Sequence, residues 1–196
     1  ALALHAAQGD VIRVVVATDG ASGDPDGIFG EDLPQRRRAE TRTALSTLGI
    51  DDIGCWGYRD DCHVTPADLV ALTERAAAEI RSFGAEVAYA PWSGESHSDH
   101  RALHAAVVGA LDATAFAGEA LGYEVWTPMA ADIVLDITSV FERKRAAIEC
   151  YATQLRYVDY QHLTCGLNAY RSLHFQRGRG FAEAFARLRR AGAASS

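Results

Sequence analysis

Short, mainly apolar runs alternate in this chain with stretches of helical period, and that alternation limits the fold more than any other feature. Residues 11–17 run apolar, apart from Arg13, into Thr18-Asp19-Gly20, and residues 87–90 run apolar into Pro91. Runs of this kind suit strands covered on both faces, as in a parallel sheet, so both are expected as interior strands. Residues 1–8 read as the end of a helix closed by Gly9. Residues 35–48 read as a helix ending at Gly49, and residues 52–57 as a short strand. Thr65 is a good N-cap with Pro66 in the first helical position. The helix that follows carries Leu69, Leu72, Ala76, Ile80 and Phe83 at spacings of three and four, and Gly84 ends it. Helices over 101–112, 139–155 and 180–190, and strands over 122–127 and 133–137, complete the reading. Strands alternating with helices predict an open α/β sheet.

Length and charge narrow the function. The 196 residues suit one domain, 1–196, with a single core. A net charge of -7 argues against a nucleic-acid binder, which would present a basic face. Arginines cluster at Arg36, Arg37 and Arg38 and at Arg187, Arg189 and Arg190. Both clusters fall in stretches read as helical, so they read as solvated helix faces. No apolar run is long enough to span a membrane. Cys55, Cys62, Cys150 and Cys165 show neither a CxxC pair nor zinc-finger spacing, which reads as buried free thiols in a reducing cytoplasm.

Open α/β sheets bind ligands beyond the C-terminal ends of their strands. Three polar clusters fall at such ends: Thr18-Asp19-Gly20, Tyr58-Arg59-Asp60-Asp61, and the segment from Ser93 to His100. The last carries the most chemistry. Pro91-Trp92-Ser93-Gly94-Glu95-Ser96-His97-Ser98-Asp99-His100 places two imidazoles and a carboxylate within four residues, between a strand and a helix. Such a set can supply a metal ligand, a partner that orients it and a proton-transfer group. Taken alone, it reads equally well as a helix start capped by Ser96 or Ser98 with surface histidines. His104 reads as packing or as support for the site, since the HExxH pattern of a helical metal pair lacks its Glu. His5, His63, His162 and His174 are isolated.

These phrases, in this order, resemble the PIG-L/LmbE-type N-deacetylases. Ser96-His97-Ser98-Asp99-His100 resembles that family's HxDH motif. Val14-Val15-Val16-Ala17-Thr18-Asp19-Gly20 resembles its second strand and loop. Arg37 with Glu40 resembles its Arg-x-x-Glu helix, and Gly57-Tyr58-Arg59-Asp60 resembles its Gly-Tyr-Pro-Asp loop, with Arg59 in place of Pro. Glu124-Val125-Trp126 with Pro128, Asp136-Ile137-Thr138, Lys144, Tyr151-Ala152-Thr153-Gln154 and Gly180-Phe181-Ala182-Glu183-Ala184-Phe185 resemble its later segments. The resemblance implies a Rossmann-like three-layer α/β/α sandwich with a mostly parallel sheet. It implies zinc-dependent removal of an N-acetyl group from an N-acetylglucosamine-containing small molecule, with Zn2+ or another divalent cation as cofactor. It carries over His100 as a metal ligand, His97 as the oxyanion-stabilising or acid group, Asp99 as a carboxylate tuning a histidine, and Arg37 and Asp60 as substrate contacts. Composition and the free thiols, for their part, read as a soluble, cytoplasmic protein compatible with a homo-oligomer.

One departure from the pattern matters. The family's remaining metal ligands and its base come from a His-Pro-Asp-Asp motif, absent from this sequence, which the resemblance places roughly a dozen residues ahead of the first helix. The stretch is therefore expected to be a fragment that lacks the first strand and the first metal motif, and with His100 alone it is expected to bind zinc poorly. The alternative from another class is a catalytically inactive homologue that binds a sugar or a partner protein. A nucleotide-binding Rossmann enzyme is disfavoured because no GxGxxG follows a strand, and a metal phosphoesterase because too few ligands are visible.

Overall fold

The computed structural model describes residues 1–61 and 64–188; Cys62, His63, Arg189 and Arg190 lie outside the described residues. In chain order the elements are α1 (Leu2–Gln8), β1 (Arg13–Thr18), α2 (Leu33–Thr47), β2 (Asp52–Tyr58), α3 (Pro66–Phe83), β3 (Val87–Pro91), α4 (Ser98–Ala113), β4 (Glu119–Tyr123), β5 (Ile133–Asp136), α5 (Phe141–Glu149), α6 (Ala152–Leu155), α7 (Tyr160–Arg171), α8 (Leu173–Gln176) and β6 (Ala182–Arg187). This is an α/β fold, as the sequence predicts. The chain divides into two compact units, Ala1–Asp61 with Val134–Glu183, and Cys62–Ile133 with the chain from Ala184.

In the first unit β1 and β2 pair in parallel, Arg13 opposite Asp52 and Thr18 opposite Tyr58. Parallel neighbours need a crossover, and α2 supplies it. Its Ala44 and Leu45 pack with Leu48, Ile50, Ile137, Val140 and Phe141 in one core. The Phe141 and Phe181 rings stack with centroids 3.5 Å apart. The helix expected over 139–155 is broken at Cys150 and Tyr151 into α5 and α6. The break has a partner: Glu40 on α2 accepts the Thr153 N–H at 2.9 Å and its hydroxyl at 2.6 Å, satisfying the start of α6. Nearby, Lys144 donates to Asn168 at 2.9 Å and pairs with Glu183.

In the second unit α3 begins with a full capping box, Thr65 and Asp68 each accepting from the other's backbone, and ends at Gly84 in the left-handed region. β3 and β4 are parallel, joined over α4. β6 runs antiparallel to β4, Tyr123 opposite Phe185 and Leu121 opposite Arg187. The sheet order is β3-β4-β6-β5, with β5 and β6 each divided between the two units.

Three expectations are corrected. The helix expected over 180–190 is not formed among the described residues, where Ala182–Arg187 is a strand. The repeating small residues suit either period, and pairing with β4 decides the matter by burying Ala184 and Phe185. Arg187 therefore lies on a strand, where it pairs with Glu119 at 3.4 Å, and not on a helix face. β1 and β3 are also not interior strands: among the described residues each ends its sheet, β1 beside β2 and β3 beside β4. An apolar run reports that layers cover a strand's faces; it does not report that both edges are paired. Among the described residues no helix is long and apolar enough to cross a membrane.

Candidate active site

The polar residues that follow β3 are organised by the start of α4. His97 is extended (φ -77°, ψ 133°), and its Nδ1 accepts the Asp99 N–H at 3.2 Å. The cap is thus the imidazole itself, not Ser96 or Ser98, and the helix opens three residues before its expected start. This contact has a chemical consequence. A neutral imidazole whose Nδ1 accepts must carry its proton on Nε2, so His97 presents an N–H donor. Asp99 reaches His97 through its main chain, and its carboxylate accepts the Ser98 hydroxyl at 3.4 Å.

His100, in the first turn of α4, has the opposite arrangement. Its Nδ1 lies 3.1 Å from Glu95 Oε2. An ionised carboxylate only accepts, so Nδ1 bears the hydrogen, and in the neutral ring Nε2 keeps its lone pair. The two rings stand 4.9 Å apart, tilted by 31°. One histidine of the pair is therefore a donor and the other a ligand or acceptor. The exposed Trp126 ring lies 6.3 Å from that of His97.

Glu95 was not singled out by the sequence reasoning, yet it is the most heavily bonded side chain here. It is 2% exposed. Its Oε1 accepts from Val125 N at 2.8 Å, Thr127 N at 3.3 Å and the Trp92 indole at 3.1 Å, and Trp126 N lies 3.1 Å from Oε2. Burial pushes its carboxyl upward, but the backbone N–H groups and His100 outweigh this and hold it below the usual carboxylate range. The turn is braced again where Arg101 donates to the Glu95 carbonyl at 2.8 Å and Ser96 N–H to Thr127 Oγ1 at 3.0 Å. Gly94 is required, because a Cβ there would sit 2.2 Å from the Trp92 ring. His104 donates to the Pro91 carbonyl at 2.9 Å, a packing role as expected.

Tyr123 ends β4 near this carboxylate. Burial around its hydroxyl, and then the Glu95 charge, push its phenol up to about 12. A folded pKa above the unfolded value near 10 means stability is complete below pH 10 and is lost as pH rises toward 12. Urea unfolding at pH 8 and pH 11 is expected to show part of that loss in wild type, at most about 1.4 kcal/mol because pH 11 traverses only one pH unit of the shift, and less because the residue as a whole is only half-buried. Tyr123→Phe should lose less over the same interval; equal losses would mean that Tyr123 does not titrate in this way.

In the first unit the other two sequence-derived residues meet one loop. The Asp60 N–H donates to Asp19 Oδ1 at 3.1 Å, and its carbonyl accepts the Ser22 hydroxyl at 2.9 Å. Arg37 donates to the Gly23 carbonyl at 3.0 Å. Its guanidinium fills the space a side chain would need at Gly23, where a Cβ would lie 2.2 Å from Nη2. The arginine cluster is therefore not a uniform solvated face: Arg37 is packed on the loop, and Arg36 lies 5.9 Å over the Phe29 ring. The same loop is tied down by Asp24, which accepts from Ile28, Phe29 and Gly30 N–H groups and from the Tyr157 hydroxyl.

Among the described residues no three His, Cys, Asp or Glu side chains converge to hold a metal. His100 nonetheless has the donor chemistry of a single ligand, a ring fixed at Nδ1 by a buried carboxylate with its Nε2 lone pair left over. Residues 1–111 match the family model for GlcNAc-PI de-N-acetylase, PIG-L, which is more than half of the chain. The chain belongs to the PIG-L family. No curated protein matches it. Solved structures with a similar fold include GalB, the 4-carboxy-2-hydroxymuconate hydratase of Pseudomonas putida KT2440 (22% identity, 100% of this chain and 91% of that one, TM-score 0.79). The N,N'-diacetylchitobiose deacetylase of Pyrococcus horikoshii matches at 19% identity over 95% of this chain and 76% of that one, TM-score 0.75. A zinc-inhibited form of teicoplanin deacetylase Orf2 matches at 18% identity over 98% and 92%, TM-score 0.76. At these identities the likeness concerns the PIG-L fold. A hydratase stands beside the deacetylases, so the reaction has to be argued from the site.

Proposed function

We propose that this protein is a metal-dependent hydrolase that removes the N-acetyl group from an N-acetylglucosamine-containing small molecule. The observation that carries the reading is the pair of histidines in opposite hydrogen-bonding states, within a chain of the PIG-L family. Amide hydrolysis needs both functions: an electron-pair donor to hold an electrophilic cation, and an N–H donor for the charge that develops on the carbonyl oxygen.

In this reading His100 is one ligand of Zn2+ or another divalent cation, and the resemblance assigns the other donors to a His-Pro-Asp-Asp motif. When bound, the cation supplies Lewis acidity and a water of lowered pKa. His97 donates its Nε2 hydrogen to the oxyanion or passes it to the departing amine. Asp99 holds that imidazole in its donor tautomer through the backbone. Arg37 and Asp60 hold sugar hydroxyls or an anionic aglycone, which orients the acetamide. A reducing, cytoplasmic setting belongs to the same proposal and is supported by the free thiols of Cys150 and Cys165, which are partly buried, and of Cys55, which is exposed and not buried as the sequence suggests.

The substrate part is tested by kinetics on N-acetylglucosaminyl glycosides that differ in aglycone. Arg37→Ala and Asp60→Ala are each expected to lower kcat/KM on the order of tenfold with metal content unchanged, as for loss of a positioned polar contact. Because Arg37 also props the 20–23 loop, thermal unfolding of each variant is measured alongside. Wild-type kcat/KM in both variants would show that these side chains do not read the sugar.

A further inference from the structure

The carboxylate of Glu95 gathers more hydrogen bonds than a merely structural turn would need, and they arrive from two different segments. From 124–128 come three consecutive backbone N–H groups, Val125, Trp126 and Thr127, joined by the Trp92 indole of Glu95's own turn. From α4 comes His100 Nδ1. We infer that Glu95 is a positioning residue of the site: one buried carboxylate fixes the His100 tautomer and locks the Val125–Thr127 segment, with Trp126 beside His97, to the same point. The inference rests on the reading of His100 as a metal ligand.

The division of labour between the two oxygens makes the idea specific. Oε1 is surrounded by N–H donors, at 2.8 Å from Val125, 3.1 Å from Trp92, 3.2 Å from Trp126 and 3.3 Å from Thr127. Oε2 faces His100 Nδ1 and, at 3.1 Å, Trp126 N. An ionised carboxylate serves both sides, because each oxygen only accepts. A glutamine cannot. Its amide oxygen must take the Oε1 place, since an NH2 there would confront N–H donors. Its NH2 group then stands where Oε2 was and donates to His100 Nδ1. That reverses the ring: Nε2 gains the hydrogen and its lone pair is no longer available to a cation. Glu95→Gln therefore changes one proton's position at nearly constant volume. A ring nitrogen that ligates a metal commonly has its partner nitrogen held in this way, and losing the carboxylate commonly costs on the order of ten- to a hundredfold in metal affinity.

The test has two arms, both on the full-length protein. In the first, long-range proton–nitrogen spectra of the 15N-labelled, metal-free protein assign the His100 tautomer, with His100→Gln identifying its signals. Wild type is expected to carry the hydrogen on Nδ1, and Glu95→Gln to carry it on Nε2. In the second, zinc is titrated against a chromogenic chelator, and the Glu95→Gln Kd is expected to rise on the order of ten- to a hundredfold. A wild-type His100 protonated on Nε2 overturns the inference without recourse to any variant, so it stays testable if Glu95→Gln fails to fold. A folded Glu95→Gln protein with the wild-type tautomer overturns it as well. If the tautomer reverses as expected but neither Glu95→Gln nor His100→Ala alters zinc binding, Glu95 does position His100 and the metal reading of His100 is what fails.

Discussion

Replacing His100 with alanine in the full-length protein is expected to remove stoichiometric zinc and, with it, activity. The reasoning is one of redundancy. A catalytic zinc site has three protein ligands and an open position, so losing one ligand leaves too few to retain the ion against competition from buffer and water. His100 is the residue of the 91–101 segment built for this role, with Nδ1 engaged by Glu95 at 3.1 Å and Nε2 left with its lone pair. The substitution removes a half-buried side chain at the helix surface, so a large loss of stability is not expected. Elemental analysis of purified wild type and His100→Ala decides the matter, with thermal unfolding as the control. Stoichiometric zinc in the folded variant would mean that His100 is not a ligand.

His97→Ala is expected to behave differently, lowering kcat on the order of a hundredfold or more while zinc stays bound. The effect follows from losing a single preorganised N–H donor aimed at developing charge, or the acid that protonates the leaving amine. His97 also caps α4 through Nδ1, so the alanine variant loses a cap worth about 1 kcal/mol. His97→Asn separates the two effects, since its side-chain oxygen can still accept the Asp99 N–H while the imidazole N–H is gone. The expected result is near wild-type stability with kcat still depressed. Unchanged turnover in the alanine variant would take His97 out of the chemistry.

The segment that carries the chemistry was legible in the sequence because its donors are local. Strand end, turn, histidines and helix start are consecutive, and the fold keeps them so. Glu95 was on that same line but had no visible role, because its partners Val125–Thr127 stand thirty residues downstream in a stretch read as strand. What was read as a strand over 122–127 is β4 up to Tyr123 and then the turn that Glu95 holds. The start of α4 was missed for a related reason: serines are the usual caps, and the imidazole of His97 took that place. Residues 182–187 read as helix from sequence because small residues fit both periods, and only pairing with Leu121, Gly122 and Tyr123 separates them. Arg37 stood out from its two neighbours by resemblance alone; the physical reason it differs, two glycines that leave room for its guanidinium, depends on where the loop folds back.

The central claim is that this protein hydrolyses an N-acetyl group with a metal's help. It is tested most directly by incubating the full-length protein with N-acetylglucosaminyl glycosides and quantifying acetate and free amine together, before and after chelation and re-addition of Zn2+ or another divalent cation. The expected result is equal amounts of acetate and free amine, lost on chelation and restored by the cation. Metal-replete, folded protein that releases neither product from any glycoside of the series would contradict the account and leave a sugar- or partner-binding role in its place.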